Sequence, residues 1–535
     1  DLIAEPASPP KRMILPTELI VRASCGSLQD HRERRYRVTI RRFKAILFLL
    51  LVMSLLAAAC GGDDDADATT AAPSDDGDAA ATTTAAPSDD GGAATTAAPS
   101  GEAVELRWFI GMGAGTDAPV IPLQQAIVDE FNATKPLGEN ISLKMEVVDA
   151  DQAPTILQTQ IAGGNPPDIV GPMGVRSAAT FFGGWLDIAP YIESNNYDLS
   201  DFDPAFVDFW NIGGEQIGLP FGAFPQMVWY NSDHFDEAGL AYPPQEFGAP
   251  YVDADGNEKP WNVDTLRELG IVLSVDANGL TPADDGFDPN NQVQWGYCGT
   301  VQNEFRGLAT MFGAGNFVAE DGKTFTVPEH WQDFAQWYHD LMWKDYVVPN
   351  PDFRESDLLA NPSPLGSGNC SMMATHTWFQ GWGTGELAFD SFDTAAIPAG
   401  PDGTITAKLH ADTFAIPKSS AHPNEAFQVV GWMLGPEMAP QLAQVYGALP
   451  ARISAQDAFV NDPANDAGFT WKVATDALAY PDIPSHEAWW PAYIESVDGL
   501  DSWWDPIVRN PDADIAAEIP KLEGILQPIY DRAEG

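Results

Sequence analysis

The sequence has four cysteines in 535 residues, at positions 25, 60, 298 and 370. That is too few for a disulfide scaffold, and no two of them share a metal-ligand spacing. Basic residues are scarce as well: 27 Lys and Arg stand against 77 Asp and Glu, a formal charge of −50. Such a balance excludes a nucleic-acid binder that works by neutralising phosphates, and it argues against adhesion to an anionic membrane through a basic patch. No apolar run reaches the roughly 20 residues a spanning helix needs. The eight histidines form no His-Glu-x-x-His pair, so the familiar zinc-hydrolase pattern is missing. Neither a Gly-x-Ser-x-Gly elbow nor a Gly-x-x-x-x-Gly-Lys phosphate loop occurs. What is present is apolar content of 44% and 17 tryptophans, which rules out disorder for the chain as a whole. The length predicts two or more domains.

The front of the chain reads differently from the rest. Arg41-Arg-Phe-Lys44 precedes an uncharged stretch of fifteen residues, Ala45 to Ala59, which ends in small residues before Cys60 and Gly61-Gly-Asp-Asp-Asp65. A basic n-region, a short apolar h-region and small residues at the cut describe a secretory signal. The Ala57-Ala58-Ala59-Cys60 junction resembles a bacterial lipobox, with Ala where Leu is commoner, and implies a lipid on Cys60. The alternative is an ordinary signal whose cut leaves a free thiol. Residues 1–37 have no apolar core and do not fit a signal, so they are read as a mis-annotated extension and 38–59 as the signal peptide. Apart from Cys60 and Glu102, residues 60–102 are Ala, Thr, Asp, Gly, Ser and Pro with Thr-Thr-Ala-Ala-Pro-Ser three times and no aromatic residue. They cannot bury enough surface to fold, and are expected to form a disordered tether with a reach of roughly 35 Å.

All the tryptophans lie beyond residue 103, in a body carrying 17 Lys and Arg against 62 Asp and Glu. Its acidity is read as a solvated surface. Val104–Ile110 alternates as a strand, and Gly111-Met-Gly-Ala-Gly-Thr-Asp117 follows as a glycine-rich loop without dinucleotide spacing. A helix is predicted over Pro122–Asn132, a strand over Ile141–Val148, a helix from Thr155 stopped by Gly163-Gly164, and a buried strand at Pro167–Val170. That order predicts a parallel α/β layer.

Six segments then stand in order: Gln160-Ile-Ala-Gly-Gly-Asn-Pro-Pro-Asp-Ile-Val170; Gly218-Leu-Pro-Phe221 with Val228-Trp-Tyr-Asn-Ser-Asp-His-Phe-Asp-Glu-Ala-Gly-Leu240; Gln294-Trp-Gly-Tyr297; Gly368-Asn-Cys-Ser-Met-Met373 with Trp378; and Gly447-Ala-Leu-Pro-Ala-Arg452. Together they resemble the family 1 extracellular solute-binding proteins over nearly the whole body. Glu246–Pro260 departs from the pattern as an insertion, and His410-Ala-Asp412 stands where relatives often show glycines. The resemblance implies an α/β, two-lobed periplasmic-binding-protein-like fold (type II) with crossing hinge strands, lobe one at 103–218 plus 412–447 and lobe two at 219–411 plus 448–535. It further implies a non-enzymatic, extracytoplasmic lipoprotein of an ABC importer. The partners would be membrane permease subunits and a saccharide or polyol; a monomer is expected. The rivals are a secreted carbohydrate-active enzyme, which needs a carboxylate pair about 5–9.5 Å apart, and a sensor subunit that presents ligand to a receptor.

Sugars stack their C–H faces on aromatic rings and hydrogen-bond through hydroxyls. Trp378 is therefore the first candidate for ligand contact, since relatives often stack a ring there. Trp229, Trp489, Trp490 and Gln226 follow. Asp117 and Met112 join them because they end the first strand, where open α/β sheets bind ligands, and Asp412 because it sits on a crossing strand. Trp432 and Trp337, in amphipathic helices, are read as core. Cys298 and Cys370, both on predicted strands of lobe two, are either a disulfide or two buried thiols. Asp253-Ala-Asp255-Gly-Asn257 spaces oxygens as a calcium loop does but lacks the remaining ligands, so a polar turn is the better reading. No metal and no cofactor is expected.

Overall fold

The computed structural model describes residues 103–300, 303–360, 363–380, 391–462, 469–482 and 490–533. The leader, the tether and Cys60 lie outside the described residues. The first half of the body builds a parallel layer. Strand β1 (Val104–Ile110), helix α1 (Ile121–Thr134), β2 (Ile141–Val147), α2 (Ala153–Ala162) and β3 (Ile169–Met173) follow one another, and β1 pairs in parallel with both β2 and β3. Prolines open both helices in their first turn, where a missing N–H costs nothing and the fixed φ suits the helix. The Asp168 carboxylate explains one of the recurring segments. It accepts from the Arg107 backbone N–H at 3.0 Å and from the Ser420 hydroxyl at 2.7 Å, tying β1 to a segment 252 residues beyond Asp168.

The centre of the molecule is β4 (Leu219–Asn231), thirteen residues that are all buried. A strand covered on both faces reads as a continuous apolar run, not an alternating one, as Leu-Pro-Phe-Gly-Ala-Phe-Pro-Gln-Met-Val-Trp-Tyr-Asn does. Its partners change along its length. The first half pairs antiparallel with β7 (Leu409–Ala415), from Leu219 opposite Phe414 to Pro225 opposite Leu409. From Gln226 onward it pairs with β5 (Met372–His376), and from Val228 also with β6 (Phe392–Ala395). Strand β7 in turn reaches β3 through Thr413 and Ala415. A short strand β8 (Leu449–Pro450) adds to β4 at Gly222 and Ala223. The chain thus crosses between two groups of elements on β4, β7 and β8.

The second group is largely helical and aromatic. Helices α3 (Val175–Ala179), α4 (Val263–Leu273), α5 (Glu304–Leu308), α6 (Glu329–Trp343), α7 (Pro423–Met433), α8 (Ala439–Tyr446), α9 (Tyr493–Val508) and α10 (Ile515–Arg532) complete the elements used below; of these, α5, α6, α9 and α10 pack together. Phe305 of α5 stacks on Trp504 of α9 with ring centroids 5.2 Å apart, and the Trp343 indole of α6 donates to the Val508 carbonyl at 3.1 Å. The two tryptophans read as core are packed: Trp432 meets Phe131 edge-on at 5.0 Å, and Trp337 lies against Phe312 at 5.4 Å. The inserted Glu246–Pro260 segment forms a two-strand ribbon in which Tyr251 faces Lys259. At its tip the Asp253 carboxylate accepts from the backbone N–H groups of Asp255 and Asn257 and from the Asn257 amide, the geometry of a polar turn.

Directly after β4, half-buried His234 is desolvated enough that its pKa is pulled down to about 4, and its Nδ1 lies 2.9 Å from the Ser371 hydroxyl. Burial disfavours the charged ring, so the folded protein keeps it neutral where the unfolded chain, near 6.5, takes up a proton. This contribution is complete above about pH 6.5 and is lost as pH falls towards 4. His234→Gln is expected to flatten part of the decline in urea midpoint between pH 7 and 4.5; a wild-type slope in the variant would refute it.

Candidate functional site

A cavity of about 330 Å³ opens where the crossing strands meet the C-terminal ends of β1 and β3. That is within the range of small-molecule sites and at the position where open α/β sheets bind ligands. Its apolar side is made by Phe224 of β4, Trp378 just beyond β5, and Tyr446 at the end of α8; its polar side by Asp117, His410 and Asp412. Among the described residues no Lys or Arg lines it.

The glycine-rich loop after β1 shapes one wall. Gly115 has φ +105, and a Cβ there would stand 2.4 Å from the Gln124 side-chain oxygen, so only glycine fits. The Gln124 amide of α1 donates to the Gly115 carbonyl at 2.7 Å, and its oxygen accepts from the Tyr446 hydroxyl at 2.7 Å. Burial holds that hydroxyl well above the ordinary phenol range, so it stays a donor. One buried glutamine thereby links the loop that carries Asp117 to the helix that precedes the β8 crossing. The glycine spacing serves this close approach and not a dinucleotide.

Three of the residues expected at the site, Trp378, Asp117 and Asp412, come together in this cavity. Others do not. Trp229 is fully buried, its ring against Phe379, Phe392 and Phe469 and its indole donating to the Thr375 carbonyl at 3.2 Å; it is a core residue. Gln226 is likewise fully buried and donates to the Gly307 carbonyl at 3.0 Å, fastening β4 to α5. Met112 points into the core at 3% exposure. Trp490 is 3% exposed, packed on Phe317 and Tyr493. Trp489 lies outside the described residues. Sequence reasoning missed Phe224, Tyr446 and His410. The oddity of His410-Ala-Asp412 was the one available signal for His410, while Tyr446 borders the Gly447–Arg452 segment without belonging to it.

Cys298 and Cys370 are joined as a disulfide with Cα atoms 6.1 Å apart. Among the described residues no group of three or more His, Cys, Asp or Glu could hold a metal ion, and no helix there is long and apolar enough to cross a membrane.

Residues 118–440, more than half of the chain, match the bacterial extracellular solute-binding protein family. The chain belongs to that family. A binding protein of Brucella abortus (strain 2308) is 23% identical over 397 residues, covering 73% of this chain and 86% of the relative. Among solved structures, the ABC substrate-binding protein Lmo0181 of Listeria monocytogenes, in complex with cycloalternan, superposes with a TM-score of 0.61 at 20% identity, over 80% of this chain and all of that one. The maltose/maltodextrin-binding domain MalE of Bdellovibrio bacteriovorus, bound to maltotriose, gives 0.57 at 17%, over 80% and 99%. The solute-binding protein described here therefore has the two-lobed α/β fold with crossing strands, and β4, β7 and β8 are those strands.

Proposed function

We propose that this protein captures a saccharide or polyol in a cleft between its lobes and delivers it to an ATP-driven importer, without chemically altering it. One observation carries the reading. The cavity at the crossing strands sets aromatic rings, Trp378, Phe224 and Tyr446, beside the carboxylates of Asp117 and Asp412, an apolar face and hydrogen-bond acceptors in the combination a sugar requires. The sugars held by the two structural neighbours agree with it.

We divide the body into 103–218 plus 412–447 and 219–411 plus 448–535. The partner change of β4, from β7 to β5, supports a hinge there. Ligand touching both lobes would favour the closed form, and the permease would read that shape. Helix α3, which follows β3, and helix α9 of the other group already meet through Arg176 and Asp498 at 3.6 Å. That exposed pair is worth about 0–1 kcal/mol, so ligand and not the ion pair would decide closure. A lipid on Cys60 would hold the body outside the cell on its tether, within reach of permease subunits.

The test is thermal unfolding of the purified protein against mono- and oligosaccharides, polyols, amino acids and peptides. A true ligand at 100 times its Kd adds about 2.7 kcal/mol. Trp378→Ala is expected to weaken saccharide binding by about tenfold through loss of ring stacking, with the sugar recovered intact. A shift only with amino acids or peptides would overturn the saccharide reading, and recovery of cleaved sugar would make the protein an enzyme.

A further inference from the structure

Three rings stand in a column beside the cavity. His376 ends β5 opposite Gln226, and His410 lies on β7 opposite Phe224, so the two flank β4 at the step where its partner changes. Their rings are face to face, centroids 3.8 Å apart and planes 16° apart. The other side of His376 faces Trp378, with centroids at 5.6 Å and planes at 14°. The outer members, His410 and Trp378, both line the cavity; the middle one is fully buried.

We infer that His376 is a positioning residue: it sets the plane of the Trp378 ring and ties that ring, through His410, to the crossing strand β7. The inference rests on the saccharide reading for its binding arm only. The rotation of an aromatic ring about its last bond is broad and poorly defined by itself, so packing on one face must choose the plane offered on the other. A ring already held in the bound orientation loses less freedom when ligand arrives. Because β7 also reaches β3, the column connects a ligand-facing ring of one lobe with a strand that continues into the other.

The experiment compares His376→Phe, His376→Leu and His376→Ala in the full chain, by saccharide titration and by crystal structures without ligand. His376→Phe, which keeps a flat ring, is expected to bind within about threefold of wild type. His376→Leu, of similar bulk but without a plane, is expected to lose about tenfold, as Trp378→Ala does, and the two changes combined should cost little more than either. The Trp378 ring should be rotated in the leucine variant and unmoved in the phenylalanine one. Equal binding by the leucine and phenylalanine variants, or an unmoved Trp378 in both structures, would overturn the inference. Should the alanine variant fail to fold, the other two still decide. Should no saccharide bind wild type, the saccharide reading falls and the ring positions alone judge His376.

Discussion

Replacing Cys298 and Cys370 together by alanine is expected to lower the unfolding free energy of the body by about 4 kcal/mol. The bond closes a loop of 72 residues, and the chain-entropy account makes a loop of that length release much conformational freedom when it is opened. Native contacts will not replace it. The bond sits in a small apolar cluster with Trp295 and Leu359, separate from the main core, and among the described residues Phe353 alone of the partly buried apolar side chains packs against it. Around it the two segments are already laced: Trp295 N–H donates to the Asn369 carbonyl, Ser371 N–H to that of Trp295, and Cys298 N–H to that of Met372. The backbone pairing therefore survives in the folded variant, and the loss falls on the unfolded side of the equilibrium. Urea unfolding of the double variant checks this. A decrease below about 1 kcal/mol, outside the usual 2–4 kcal/mol, would refute it. Both sulfurs are fully buried, so reductant without denaturant is expected to act slowly on wild type.

The early α/β layer was legible because its signals are local. Val104–Ile110 alternates and is the strand; Pro122 opens a helix that runs Ile121–Thr134; Gly163 and Gly164 end the next at Ala162. Trp378, Asp117 and Asp412 were legible because a motif or a strand end marks them. The rest of the cavity depends on contacts no short window contains. Phe224 and Tyr446 line the same cavity, one from β4 and the other from the end of α8, because β8 adds to β4 at Gly222 and Ala223 and Phe221 between them packs on Tyr446 with ring centroids 5.4 Å apart. Tryptophan count also carries no direction. Trp229 belongs to the Val228–Leu240 segment yet packs against Phe469 at 4.8 Å, a partner 240 positions away, and Trp490 packs on Phe317. A ring that could serve a ligand serves the core equally well, and only tertiary partners decide which. The stacked pair His376 and His410 was equally hidden, since each histidine looks isolated in its own strand.

Gly296→Ala is expected to be nearly as damaging as losing the disulfide, for a steric reason. A Cβ at position 296 would stand 2.1 Å from the Gly270 carbonyl oxygen and 2.4 Å from the Gly270 Cα. Both neighbours are backbone of helix α4, so no side chain can swing aside. The strand-like segment Trp295–Cys298 lies directly on that helix, and the Ser274 hydroxyl near its end accepts the Gly296 N–H at 3.0 Å. Gly270 is itself confined, for a Cβ there would lie 2.5 Å from a Val347 methyl; the helix cannot retreat without disturbing the core beneath it. Overpacking a well-filled interior costs about 1–3 kcal/mol and occasionally more, and a clash between two main chains belongs at the upper end. The damage would also travel. Moving Trp295–Cys298 off α4 strains the disulfide to Cys370 and the pairing that leads into β5, which ends at His376 beside Trp378. We therefore expect Gly296→Ala to lose about 3 kcal/mol of stability and to bind saccharide more weakly even where it remains folded. Gly279→Ala is the control: its φ of +80 is unfavourable for alanine, but nothing lies within 4 Å of the added carbon, so it should cost about 1 kcal/mol. Urea midpoints of the two variants decide the matter, and equal losses would show that backbone conformation, not the approach of α4, is what position 296 requires.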